Sequence, residues 1–227
     1  PIQCVLFRNK DEIITSSNDD TIKFWNLRTC ELLRTFKFNS PIMKLILKNE
    51  NELLSCSNSC SIQLWDLNTG KCRKNSRAHP DLVYSILIYK EIYLISCGGL
   101  EIKLWDIENI ERDKQLKTLT GHESFVKTIT LTKDNLLASG SRDCSVRIWN
   151  VDTGECLKVL TDHKDFVQCL EVSRDNELIS GSSDQKIKIW DIKSGLCIKE
   201  FIHENGVTAM KIDKNGVLIS TGWNRKV

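Results

Sequence analysis

The sequence predicts an all-β chain that repeats one four-stranded antiparallel unit. Three observations carry this prediction. Trp recurs at 25, 65, 105, 149 and 190 in the contexts KFWN, QLWD, KLWD, RIWN and KIWD, with gaps of 40, 40, 44 and 41 residues. A β-branched residue opens a short apolar run at Ile2, Ile42, Val83, Val126, Val167 and Val207, 23 residues before the Trp in four repeats and 22 in the third. No segment of comparable length shows the 3.6-residue apolar period of a helix. Two independent markers that keep step through five copies define a repeat, with units starting near residues 2, 42, 83, 126, 167 and 207.

The fifth copy shows the elements of the unit in order. FVQCLEV, NELISGSS and KIKIWDI are rich in Ile, Leu and Val, as inner strands covered on both faces should be. RDNE, SSDQ and KSG are the turn signals that separate the runs. The fourth run, LCIKEF, mixes Lys and Glu with apolar residues, which suits an exposed outermost strand that must discourage pairing with other chains.

A four-stranded unit of about 40 residues that ends its third strand in Trp-Asp, with a Gly-His dipeptide at Gly121-His122, resembles the WD40 repeat. The resemblance covers residues 1–227 and implies a β-propeller of four-stranded antiparallel blades. On that register the chain holds five full blades and about half of a sixth, opening at Ile2 and stopping at Val227, where a third strand should begin. A blade cannot bury its faces alone, so the expectation is a fragment of a longer, seven-bladed parent. The alternative is a complete six-bladed or unclosed ring. The third unit carries the largest irregularity, IENIERDKQLKT, which lengthens the turn before its outer strand.

Ser139, His122 and Asp143 are the side-chain types of a hydrolase triad, yet the repeat multiplies them. His lies four positions before the marker at His79, His122, His163 and His203. Ser or Thr lies 13 after it at Thr15, Ser55, Ser96, Ser139, Ser180 and Ser220, and Asp lies six before the Trp at Asp19, Asp143 and Asp184. A catalytic site needs one exposed nucleophile with a base and an oxyanion stabiliser in a pocket, so repetition argues for a structural task. The family resemblance implies a hydrogen-bond relay of His122, Ser139, Asp143 and Trp149, and of His163, Ser180, Asp184 and Trp190. In such a relay the Asp accepts from the His, the His engages the hydroxyl, and the hydroxyl accepts from the indole N–H. The second unit has Phe38 and Ser59 in the His and Asp places, and the third lacks the Asp because its SCGGLE turn is one residue short. Those two blades are expected to rely on packing.

Charge and cysteines bound the remaining function classes. Lys and Arg total 32 against 30 Asp and Glu, a balance that leaves no general footprint for nucleic acid or an anionic membrane. The longest uncharged apolar run, LVYSILIY, is too short to span a bilayer. Ten cysteines sit in apolar strand-like runs, and no Asn-x-Ser/Thr acceptor occurs. They read as small buried thiols of a reducing compartment, the cytoplasm or the nucleus, and not as a disulfide scaffold. Cys56 and Cys60 lack a second ligand pair for zinc. No metal, cofactor, small-molecule substrate or enzymatic activity is expected.

The family resemblance places a partner-docking face at the loops entering the first strand and at the turns between the second and third strands. The residues one after each marker are Gln3, Met43, Tyr84, Lys127, Gln168 and Thr208, and two before it lie Ser40, Asp81, Ser124, Asp165 and Asn205. Asn18, Asn58, Arg142 and Ser183 lie seven before the Trp, with Trp223 in the corresponding place of the last unit. Lys127 and Arg142 would form a local basic spot, and Tyr84, Arg142 and Trp223 are the expected anchors because aromatic and Arg residues dominate interface energetics. The expected function is a non-catalytic scaffold for a protein or peptide. A narrower alternative, implied by resemblance to F-box ubiquitin-ligase receptors, is capture of phosphorylated peptides. That task calls for convergent Arg side chains, and Asp81 and Asp165 oppose an anion.

Overall fold

The protein, a computed structural model describing residues 1–110 and 115–223, is all-β, with no α-helix among the described residues. Part of the long third-unit connection (111–114) and the place of a third strand in the last unit (224–227) lie outside the described residues. Five four-stranded antiparallel sheets and one two-stranded sheet follow in chain order. The first is β1 (Ile2–Phe7), β2 (Glu12–Ser17), β3 (Thr21–Asn26) and β4 (Leu32–Lys37). The second is β5 (Ile42–Asn49), β6 (Glu52–Ser57), β7 (Ser61–Asp66) and β8 (Cys72–Arg77). The third is β9 (Val83–Tyr89), β10 (Tyr93–Gly98), β11 (Glu101–Asp106) and β12 (Gln115–Leu119). The fourth is β13 (Val126–Leu131), β14 (Leu137–Ser141), β15 (Val146–Trp149) and β16 (Cys156–Leu160). The fifth is β17 (Val167–Val172), β18 (Leu178–Ser182), β19 (Lys186–Trp190) and β20 (Cys197–Ile202), and the sixth is β21 (Val207–Ile212) with β22 (Leu218–Gly222). Each sheet is a meander in which sequential strands pair.

The chain divides into two compact units, residues 1–99 with 103–117 and residues 100–102 with 118–227. Within the first, β1 packs beside β5 and β5 beside β9; within the second, β13 packs beside β17 and β17 beside β21. The cores therefore lie between successive sheets. Ile14, Ile22 and Phe24 meet Ile42, Leu45, Leu53 and Trp65 in one layer, and Ala138, Val146 and Ile148 meet Val167, Leu170, Leu178 and Trp190 in another. Each large side chain buried this way contributes about 1.5–3 kcal/mol before chain entropy is subtracted. The sheets approach closely. A Cβ on Gly140 would lie 2.6 Å from Val167 Cγ1, and one on Gly181 would lie 2.6 Å from Val207 Cγ1, so glycine in SGS lets the next inner strand seat itself.

Two expectations change. The ten cysteines are all free thiols, but only Cys56 and Cys97 are buried, while Cys30, Cys72 and Cys156 are exposed. Their strand-like runs include outer strands, whose alternate side chains face water, and Cys30 sits in the turn before β4. Strand β1 is also exposed along much of its length, including Val5 and Phe7, although β5, β9, β13, β17 and β21 each begin with a fully buried residue.

Candidate functional site

The turn joining the second and third strands of each blade places the side chains of interest. One residue per turn adopts the left-handed conformation: Asp20, Cys60, Gly99, Cys144 and Gln185, with φ between 56° and 68°. In the fourth blade this turn carries Asp143 back over the loop that enters β13. Its Oδ1 accepts from the Ser145 N–H (2.9 Å) and hydroxyl (2.6 Å), and its Oδ2 accepts from the Glu123 N–H (3.0 Å) and His122 Nδ1–H (2.7 Å). The other ring nitrogen, Nε2, lies 2.7 Å from Ser139 Oγ, which accepts from Trp149 Nε1–H at 2.8 Å. Only one proton order satisfies every group: Nδ1–H donates to the carboxylate and the serine hydroxyl donates to Nε2.

The fifth blade repeats this geometry. His163 joins Asp184 at 2.8 Å and Ser180 at 2.7 Å, and Trp190 donates to Ser180 at 2.8 Å. Burial alone would raise the Asp143 carboxyl, but hydrogen bonds from His122 and Ser145 outweigh it and hold the group well below the ordinary carboxylate range. Burial likewise opposes ionisation of Asp184, and the Lys164 N–H with His163 reverses the balance. Burial pushes His163 below its usual value, against the pull of Asp184. Ser139 and Ser180 are fully enclosed (0% exposed), each between an indole and an imidazole. A hydroxyl so enclosed cannot meet a substrate carbonyl.

The other blades depart in ways their residues explain. In the third, His79 Nε2 and Trp105 Nε1 both lie 2.8 Å from Ser96 Oγ, but His79 Nδ1 is buried without a partner where the Asp is missing. Burial, with Lys103 nearby, drives the His79 pKa down to about 3. In the second, Trp65 donates to Ser55 at 3.1 Å and Phe38 packs on the Trp65 ring, centroids 4.1 Å apart. Ser57, Ser59 and Ser61 close a triangle of hydroxyls at 2.8–3.0 Å in place of the carboxylate. In the first, Trp25 donates to Thr15 at 2.9 Å, while Asp19 turns to Thr21 and Lys23 with no histidine near. His203 departs furthest. Its Nδ1–H donates to the Asn205 carbonyl at 2.9 Å, and among the described residues the ring makes no hydrogen bond to Ser220.

The residues one after each marker share a feature that spacing could not show. In all six blades the pairing of the first and second strands slips there, at Gln3, Met43, Tyr84, Lys127, Gln168 and Thr208. Such a bulge re-aims a side chain out of the sheet. The bulged residue meets the turn seven before the Trp: Gln3 Nε2 donates to Asn18 (2.7 Å) and Gln168 Nε2 to Ser183 (2.9 Å). Asp81 and Asp165 cap their own loops, accepting from the N–H of Leu82 (2.8 Å) and Phe166 (2.7 Å). Trp223 is 70% exposed, its backbone N–H held by the Gly206 carbonyl at 3.0 Å.

Arg142 is the most constrained of these residues. Its guanidinium carbon lies 5.3 Å from the Phe125 ring centre and 5.4 Å from that of Phe166, a cation held between two phenyl faces. Arg142 Nε is buried without a hydrogen-bond partner, and among the described residues the side chain forms no ion pair. The Cys144 thiol next to it is pushed up, first by burial and then by Asp165, Asp143 and Asp184, so carboxylates surround this edge. Phe125 and Phe166 each precede a marker, a signal present in the sequence that position-by-position reading of polar slots passed over.

Residues 113–150 and 154–191 match the family model "WD domain, G-beta repeat". Each matched segment takes in the outer strand of one blade and the first three strands of the next, ending at the residue after Trp149 or Trp190. No curated protein matches the chain. WD40 repeats generally mediate protein–protein interaction and are typically non-catalytic. The blades before them share the strand order of the two matched segments, an indole N–H donates to a serine or threonine hydroxyl in each of the first five blades, and residues 113–150 and 154–191 are WD40 repeats within an all-β chain of like-built sheets.

Proposed function

We propose that the chain is a non-catalytic scaffold that docks a protein or peptide partner on the edge formed by the bulged residues and the second-to-third-strand turns, centred on Arg142. The observation that carries this reading is the guanidinium clamped between Phe125 and Phe166 with no carboxylate paired to it among the described residues. A preorganised Arg on a partly exposed aromatic pair (Phe166 is 39% exposed) gives up little side-chain entropy on binding. Lys127 and Gln168 flank it on the same strands' bulges, and Asp165 lies on the loop that carries Phe166. One guanidinium among carboxylates suits a segment that offers a single carboxylate or backbone carbonyl together with an apolar side chain, and suits a multiply phosphorylated peptide poorly. Within the first compact unit, Tyr84 and Asp81 hold the equivalent register positions, and Trp223 holds the turn position of the last sheet in the second.

Affinity capture from a lysate with wild type, Arg142→Ala and Phe166→Ala tests the reading. Both variants should lose the same proteins, each by a factor of about 30 or more in affinity, as expected of a hot spot near 2 kcal/mol. Lys158→Ala, on outer strand β16, should retain them. Identical partner sets for all four would end the proposal.

A further inference from the structure

Two positions before each Trp stands a side chain that crosses the outer part of its blade, and in four blades it is a cation: Lys23, Lys103, Arg147 and Lys188. Each finds acceptors or packing. Lys188, 3% exposed, lies against Asp162 and 2.6 Å from Glu200; Lys103 reaches the Ala78 carbonyl at 3.3 Å; Arg147 Nη1 lies 3.9 Å from Cys156 Sγ. The second blade alone carries a neutral, shorter residue there, Gln63. Its surroundings are inverted as well. The counterpart of Asp162, five positions before the marker, is Lys37, and the counterpart of Glu200, paired across the strands with the crossing residue, is Asn75. An ammonium between two carboxylates in the fifth blade thus becomes, in the second, an ammonium with two amides.

The exchange leaves a cavity of about 240 Å³, lined by Lys37, Ser40, Gln63, Asn75, Phe38 and Trp65 among others. That is room for several waters at roughly 30 Å³ each, or for one tetrahedral or planar oxyanion with its own hydration. No carboxylate lines it among the described residues, and Ser40 Oγ is buried there without a hydrogen-bond partner. Hydroxyl and amide N–H donors under one ammonium form the donor set that an oxyanion takes. The geometry points to a binding site for a small oxyanion, a phosphate or carboxylate group, held by Lys37, Gln63, Asn75 and Ser40 over the Trp65 ring. The site stands independently of the Arg142 surface.

The test is a titration of the ¹⁵N-labelled chain at constant ionic strength, in one arm with inorganic phosphate and in the other with an end-blocked Gly-Glu-Gly peptide. The readout is the Trp65 indole and the Gln63 and Asn75 side-chain amide signals. Saturable shifts at these three, in either arm, are the expected result, and the arm that saturates at lower concentration identifies the source of the oxyanion. Lys37→Gln should weaken binding about fivefold. Asn75→Glu, which supplies an internal carboxylate to Lys37 as in the fifth blade, should abolish it, the remaining spectrum showing that both variants keep the fold. Absence of saturable shifts in wild type, or equal affinity in all three proteins, would overturn the proposal and leave a hydrated cavity only.

Discussion

Asp143→Ala removes four acceptor contacts from one carboxylate. The His122 side chain is 1% exposed, so its Nδ1–H loses its partner with no water to replace it, at a cost of about 1–3 kcal/mol. The Ser145 hydroxyl and N–H are also enclosed and lose the Oδ1 acceptor, which adds about 1 kcal/mol. The Glu123 N–H faces solvent and adds little. The total is about 2–4 kcal/mol, read as a fall in the urea midpoint of tryptophan fluorescence at unchanged slope. The second blade supplies an internal control, because there Phe and Ser fill the His and Asp places and Phe38 packs on Trp65. Removing both partners and filling the space with an apolar ring should recover part of the loss, so His122→Phe/Asp143→Ser should be more stable than Asp143→Ala by about 1 kcal/mol. The reasoning is refuted by a loss below about 0.5 kcal/mol for Asp143→Ala, or by a His122→Phe/Asp143→Ser variant no more stable than Asp143→Ala.

Three further outcomes are expected. His79 has a folded pKa of about 3, below its ordinary 6.5, so the unfolded chain binds more protons between these values; stability is complete above pH 6.5 and declines as pH falls toward 3, by about 2 kcal/mol at roughly pH 5, and His79→Phe should remove this acid sensitivity in a pair of urea titrations. Cys30 holds φ 59° in the turn where the second, fourth and fifth blades place Gly70, Gly154 and Gly195, so Cys30→Gly should raise the urea midpoint by an amount worth about 0.5–1 kcal/mol. Gly140→Ala drives a methyl to within 2.6 Å of Val167 and 2.9 Å of Thr128, and thermal unfolding should show a loss of about 1–3 kcal/mol.

Much of the architecture was legible because it repeats. The Trp and marker spacings located the first and third strands of the first five blades and the first strand of the last, and the alternation of Lys and Glu with apolar residues identified β20 as an outer one. The fourth and fifth blades bring together the residues that the spacing aligned, since the turn geometry is the same in both. Three things were hidden. His203 occupies the aligned place but turns to a local carbonyl, since spacing fixes where a ring stands and not which acceptor it finds. Cysteine burial followed the face of the strand, and an apolar run does not tell which face is wet. The Arg142 clamp needs Phe125 and Phe166 from two successive blades, and residues 17 and 24 positions from Arg142 meet only when the sheets stack. The second-blade cavity, by contrast, was announced by a visible break in pattern, Gln63 among Lys and Arg.

The central claim is that the recurring serine, histidine and aspartate hold the blades together by enclosing the tryptophan N–H, and hydrogen exchange of the indole groups tests it most directly. The Trp105, Trp149 and Trp190 indole hydrogens, each donated to a fully buried serine hydroxyl, should exchange only when their part of the structure unfolds, while the exposed Trp223 indole exchanges at the rate of a free side chain. Asp143→Ala should speed exchange at Trp149 and leave Trp105 unchanged. An indole of Trp149 that exchanges as fast as that of Trp223 in the wild-type chain would contradict the account.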